Sequence, residues 1–138
     1  MAWVYDDGGR AAAGYKGDAS DCVARAIAIA TERPYAEVLA RVAEFADGDA
    51  TLGAPRKRTA YADRGFDDLL REWGWYWQPT MRIGQGCQTH LRADELPKGR
   101  IIARVSRHLC AVIDGVVHDT HDPSRNGTRC VYGYYRHD

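Results

Sequence analysis

Cys22, His108 and Asp119 are the side chains of this 138-residue chain whose types and placement could do covalent chemistry. Cys22 stands in Ser20-Asp21-Cys22, directly before the run VARAIAIAT. Ser20 or Asp21 can cap a helix there, and Val23, Ile27 and Ala30 then share one apolar face. A helix start concentrates unpaired N–H groups and a partial positive charge, and both favour thiolate over thiol. The same N–H groups can stabilise an oxyanion forming on a carbonyl that the sulfur attacks. Such a nucleophile needs a base, and His108 is the candidate.

A turn fixes where the third group lies. Asp114-Gly115 joins HLCAVI, from His108 to Ile113, to VVHDTH, from Val116 to His121. Asp-Gly between two apolar runs predicts a two-residue hairpin. Ile113 then faces Val116, Cys110 faces Asp119, and His108 faces His121. Because side chains alternate along a strand, His108, Cys110, Val117, Asp119 and His121 share one side of the sheet. Asp119 is diagonal to His108 and within reach of its ring, as a group that orients a general base must be. Asp122 falls on the other side of a straight strand, although Pro123 beside it signals a turn. Taken singly, a helix-start Cys is usually an inert buried residue and a strand His a satisfied one. The conjunction of the three carries the catalytic reading.

The elements that must position these residues read as follows. After the Cys22 helix, Pro34 opens a second helix over about 34–46, with Val38, Leu39, Val42 and Phe45 as its stripe. Residues 47–64 are polar and read as a loop, in which Arg56-Lys57-Arg58 is a short solvated basic run. Phe66, Leu69, Leu70 and Trp73 predict a third helix stopped by Gly74. Trp75-Tyr76-Trp77 favours a strand limited by Pro79, and packing explains the Trp73, Trp75 and Trp77 set. A Gly-containing loop spans 80–98. Strands follow at 100–106, 108–113, 116–121 and 130–135. The first sixteen residues form an arm that wraps the surface, with Trp3 and Tyr5 as anchors, or frays. The sum is one α+β domain with N-terminal helices packed on a C-terminal antiparallel sheet.

Nineteen basic residues balance nineteen acidic ones, so no global field draws the chain to nucleic acid or to an anionic membrane. The N-terminus lacks the pattern of a signal peptide and no run is apolar enough for a membrane helix. A cytoplasmic location with reduced thiols is expected. Cys22, Cys87, Cys110 and Cys130 are scattered, so neither a disulfide framework nor a zinc site follows, and Cys110 and Cys130 read as core residues. Cys87-x-x-His90 and the group His118, His121 and Asp122 are weaker metal candidates; His118 and His121 point to opposite faces of a strand. No metal and no cofactor are expected. GQGCQTH reads instead as a loop lining the cleft, with Gln88 or His90 touching substrate.

The order of GDASDCVARAIAIAT and SRHLCAVIDGVVHDTHDPSR resembles the papain-like cysteine peptidase superfamily, in which a helix-start Cys precedes a strand His and then an Asn or Asp. The two segments also resemble small uncharacterised phage and bacterial proteins of that kind. Bacteriocin-leader-processing peptidases have a similar Cys, His and Asp-Pro order, which would make Asp122 the third member; the hairpin register favours Asp119. The resemblance covers the Cys22 helix and residues 100–122. It implies a papain-like fold and a peptidase, isopeptidase or amidase that works through a thioester on a protein or peptide substrate. The same parts serve acyl transfer or cell-wall peptide hydrolysis, and a non-catalytic phage or bacterial binding protein retaining the fold is the alternative. Papain-like enzymes usually carry a Gln shortly before the Cys; YKGDASD has none. Lys16 and Gln88 are the candidates to replace it at the oxyanion.

Overall fold

The computed structural model describes residues 1–15, 21–45, 65–82 and 84–137. The chain is α+β. Strand β1 (Trp3–Tyr5) is followed by helices α1 (Cys22–Thr31), α2 (Tyr35–Phe45) and α3 (Gly65–Glu72). Strands β2 (Trp75–Pro79), β3 (Arg100–Val105), β4 (His108–Ile113), β5 (Val116–Asp119) and β6 (Gly133–His137) complete the elements of the described residues, with a 3-10 turn at Ala93–Glu95. They form one six-stranded sheet in the order β1-β5-β4-β3-β6-β2. No described helix is long and apolar enough to cross a membrane.

Every residue of α1 from Val23 to Ala30 is buried. Its Ala and Ile side chains are small or apolar on all sides, so the helix fits between the sheet and α2. Val38, Leu39 and Val42 of α2 and Phe66, Leu69 and Leu70 of α3 join it in one core with Ile102, Leu109, Ala111 and Tyr135 of the sheet. Trp75 and Trp77 belong to the same packing, the Trp77 ring lying 4.9 Å from that of Tyr135. The other sheet face carries Ile101, Ala103, Val105, Cys110, Val112 and Val117, covered by Leu91, Leu96 and Val131 from irregular segments.

The hairpin between β4 and β5 has the register its sequence predicts, with Ile113 opposite Val116 and Val112 opposite Val117. Asp114 (φ 49°) and Gly115 (φ 82°) both have positive φ, as a two-residue turn that follows strand twist requires.

Several features differ from expectation, among them the end of β5 at Asp119 rather than at His121. The sheet is mixed, because β1 pairs in parallel with β5. Thus the strands are not all C-terminal to the helices. The arm is held by that pairing rather than by its rings: Trp3 and Tyr5 are 41% and 69% exposed. The last strand starts at Gly133, and Cys130 instead makes an isolated bridge with His90. Finally, Cys87 and Cys130 form a disulfide, with Cα atoms 5.8 Å apart and a separation of 43 positions in sequence. The loop after β2 folds back beside residues 129–131, where the Leu91 N–H donates to Arg129 O and the Val131 N–H to Thr89 O, each at 2.8 Å. That long-range pairing leaves no trace in cysteine spacing. Residues 46–64, including Arg56-Lys57-Arg58, lie outside the described residues, as do Lys16 and Ser20.

Candidate active site

Cys22 is the first residue of α1 and His108 the first of β4. Packing α1 across the sheet brings these two ends together. The Cys22 sulfur lies close enough to the His108 ring and to the Leu109 N–H for both to favour its thiolate. His108 turns its Nε2 to Asp119 Oδ2 at 2.7 Å, which leaves Nδ1 for the sulfur. Asp119 Oδ1 accepts from the Thr120 N–H at 2.7 Å and faces Arg25 Nη2 at 3.4 Å. His108 and Asp119 are both buried, at 8% and 3% exposure.

Burial alone would oppose charge on all three groups. Burial pushes the Cys22 thiol up, yet the bond to His108, its charge, the Leu109 N–H and Arg25 together hold it below its ordinary value. Burial pulls His108 down, but bonds to Asp119 and Cys22 and their charges raise it to about 9. Burial raises Asp119, and the His108 bond and charge, the Thr120 N–H and Arg25 outweigh it and keep the carboxyl below its usual range. The three shifts point the same way, each toward the charged form of its group.

Asp21 does not cap the helix. Its side chain makes no cap bond, and its carboxylate contacts Arg25 Nη1, Arg10 Nη1 (3.2 Å) and the Tyr35 hydroxyl. The first-turn N–H groups beside Cys22 are therefore not taken up by that carboxylate. Asp21 is wholly buried and Arg25 is 9% exposed. Sequence reasoning missed this ion network, although a signal for it existed. Arg25 is the one charged residue in CVARAIAIAT, and a helix apolar all round buries whatever it carries. A buried guanidinium requires carboxylates, and Asp21 stands four residues before it.

The other candidates are placed elsewhere. Asp122 accepts from the Ser124 N–H (3.0 Å) and hydroxyl (2.7 Å), closing a turn. Gln88 donates to Gln85 O at 2.7 Å and His90 pairs with Glu95 at 3.2 Å, so both bond within their own loop. Lys16 lies outside the described residues. Cys110 is buried beside Asp119, and burial pushes its thiol up and keeps it inert. His118 faces Asp6 at 3.7 Å, apart from His121. Two clefts, of about 390 and 280 Å³, lie toward the far end of α1, where Arg33 is paired with Glu37 and Arg100 with Glu32.

His108, Asp119 and His121 each bring a possible metal-ligand atom within 4.8 Å of the others. Two of those atoms already bond to each other, and Arg25 sets a fixed cation beside the same carboxylate. That positive neighbour opposes a second cation at this carboxylate. His121 is the exposed member, its ring 5.1 Å from that of His108 at the mouth of the site.

No protein-family model matches the chain, and no curated protein or solved structure matches it either.

Proposed function

We propose that this chain is a cysteine hydrolase of papain-like design that cleaves an amide bond in a peptide or protein. The observation that carries the reading is the placement of Cys22, at a helix start, beside His108, whose ring is bonded to buried Asp119. The thiolate attacks the carbonyl carbon, and the oxyanion forms against the first-turn N–H groups of α1. His108 gives its proton to the departing amine as the C–N bond breaks, leaving a thioester on Cys22. His108 then takes a proton from water, whose oxygen displaces the sulfur and releases the acid. An amine in place of water would make the same site an acyltransferase. Asp119 holds the ring with Nδ1 toward the sulfur and balances its charge.

A cytoplasmic site of action, expected from the sequence, sits less easily with the Cys87–Cys130 bond, because disulfides persist mainly in oxidising compartments. The test is iodoacetamide labelling of Cys22 across pH, read by peptide mass. Cys22 should label well below pH 7 and lose that advantage in His108→Ala. A folded protein whose Cys22 reacts no faster at pH 6 than the same cysteine in the urea-unfolded chain would rule out the reading. Capture of an acyl donor by Cys22→Ala then identifies the substrate.

A further inference from the structure

We infer that Arg25 is a positioning residue of this site: it ties the nucleophile helix to the strand bearing the acid and supplies a fixed positive charge shared by the Cys22 sulfur and Asp119. This rests on the cysteine–histidine–aspartate reading above. Arg25 lies three residues after Cys22, on the adjacent turn of the same helix side. One guanidinium nitrogen contacts Asp21, and the other reaches Asp119 Oδ1 at 3.4 Å, across 94 residues of sequence. The rest of α1 between Cys22 and Thr31 is Val, Ala, Ile and Thr. A guanidinium in such surroundings is costly unless paired, and a single partner would have sufficed to pair it. Two carboxylates from different elements share it instead.

The charges around the line balance only with Arg25 present. Arg10 from the N-terminal arm, Arg25 from α1 and a protonated His108 from β4 face Asp21, Asp119 and the Cys22 thiolate. Tyr35 of α2 bonds Asp21, and burial and that carboxylate push its hydroxyl up so that it adds no charge. Cys110 beside Asp119 stays a neutral thiol, Asp122 is occupied by Ser124, and His121 is the exposed neighbour toward solvent. Removing Arg25 leaves one uncompensated negative charge. The thiolate then becomes harder to hold, and Asp119 gives its whole charge to His108.

Replacing Arg25 alone would strand Asp21, so the comparison is R25M/D21N against D21N, in which only Arg25 differs. Two readouts are followed: the His108 ring by NMR titration of ¹⁵N-histidine-labelled protein, and iodoacetamide labelling of Cys22 across pH. Loss of Arg25 should raise the His108 midpoint by about half a unit or more and slow Cys22 labelling about threefold on its acid limb. R25K/D21N, which keeps the charge, should restore both. A purely structural role would change stability and leave both midpoints in place. A His108 midpoint unmoved within about 0.2 unit in folded R25M/D21N overturns the inference; if that variant does not fold, R25Q/D21N is judged by the same criterion. Should His108 move as expected while Cys22 stays unreactive in every variant including the unaltered chain, the hydrolase reading fails and the role of Arg25 stands.

Discussion

Replacing Asp119 by Asn keeps the outline of the side chain and removes its charge. Asp119 Oδ2 is 2.7 Å from His108 Nε2, a bond assisted by charge on both sides. Such bonds contribute about 1.5–3 kcal/mol. At about 1.4 kcal/mol per pKa unit, the loss should lower the His108 midpoint by about 1–2 units, starting from about 9. Burial, which pulls His108 down, remains in place. The ratio of thiolate–imidazolium to thiol–imidazole falls by the same factor, about 10- to 100-fold. Melting is the wrong property to follow. His108, with its folded pKa raised, contributes stability that is complete below 6.5 and lost as pH rises through about 9. Cys22, with its folded pKa lowered, contributes stability that is complete above 9.0 and lost as pH falls through the folded value. Between 6.5 and about 9 the His108 contribution falls with pH while that of Cys22 rises, so the two offset each other in the overall stability. Reactivity, in contrast, follows the thiolate directly. Iodoacetamide labelling of D119N should be about tenfold or more slower at pH 6–7 and converge on the unaltered protein near pH 10, where any thiol ionises. Equal labelling rates at pH 6 in a folded D119N protein would show that Asp119 does not sustain the ion pair.

Three further outcomes are expected. The Cys87→Ser/Cys130→Ser protein should lose about 2–4 kcal/mol in urea unfolding, because the bond closes a long loop in the unfolded chain; its Cys22 labelling profile should not change, and a shifted profile would mean that the loop does reach the site. Gly133→Ala should cost about 1–3 kcal/mol by the same measurement, since an added Cβ would overlap the Trp77 indole and the Gln78 carbonyl; unchanged stability would show that β2 and β6 can separate freely. Asp122→Ala should cost about 1 kcal/mol through loss of the bonds to Ser124, and leave the pH dependence of Cys22 labelling intact; a displaced midpoint would restore Asp122 as a partner of His108.

The hairpin was legible because its information is local. Asp114-Gly115 requires two residues of positive φ, that turn sets the register of β4 against β5, and strand alternation then puts Asp119 on the side of His108. The helix periods of residues 22–31, 35–45 and 65–72 were legible for the same reason. What the local pattern got wrong was the capping role of Asp21. A carboxylate beside a helix start has an attractive local partner in the N–H groups, but Arg25 one turn on, with Arg10 and Tyr35 from other segments, competes for it and wins.

By itself, the sequence determined which residues carry reactive groups, where the helix begins and which strand face holds the acid, since each depends on neighbours a few residues away. Only the tertiary structure decided that Cys22 meets His108, that Arg25 joins Asp21 to Asp119, that Cys87 bonds Cys130 and that β1 adds a parallel edge. Those contacts link segments tens of residues apart. They exist because packing α1 on the sheet and folding one loop back against another set the distances, and chemistry that depends on a few ångströms follows the packing.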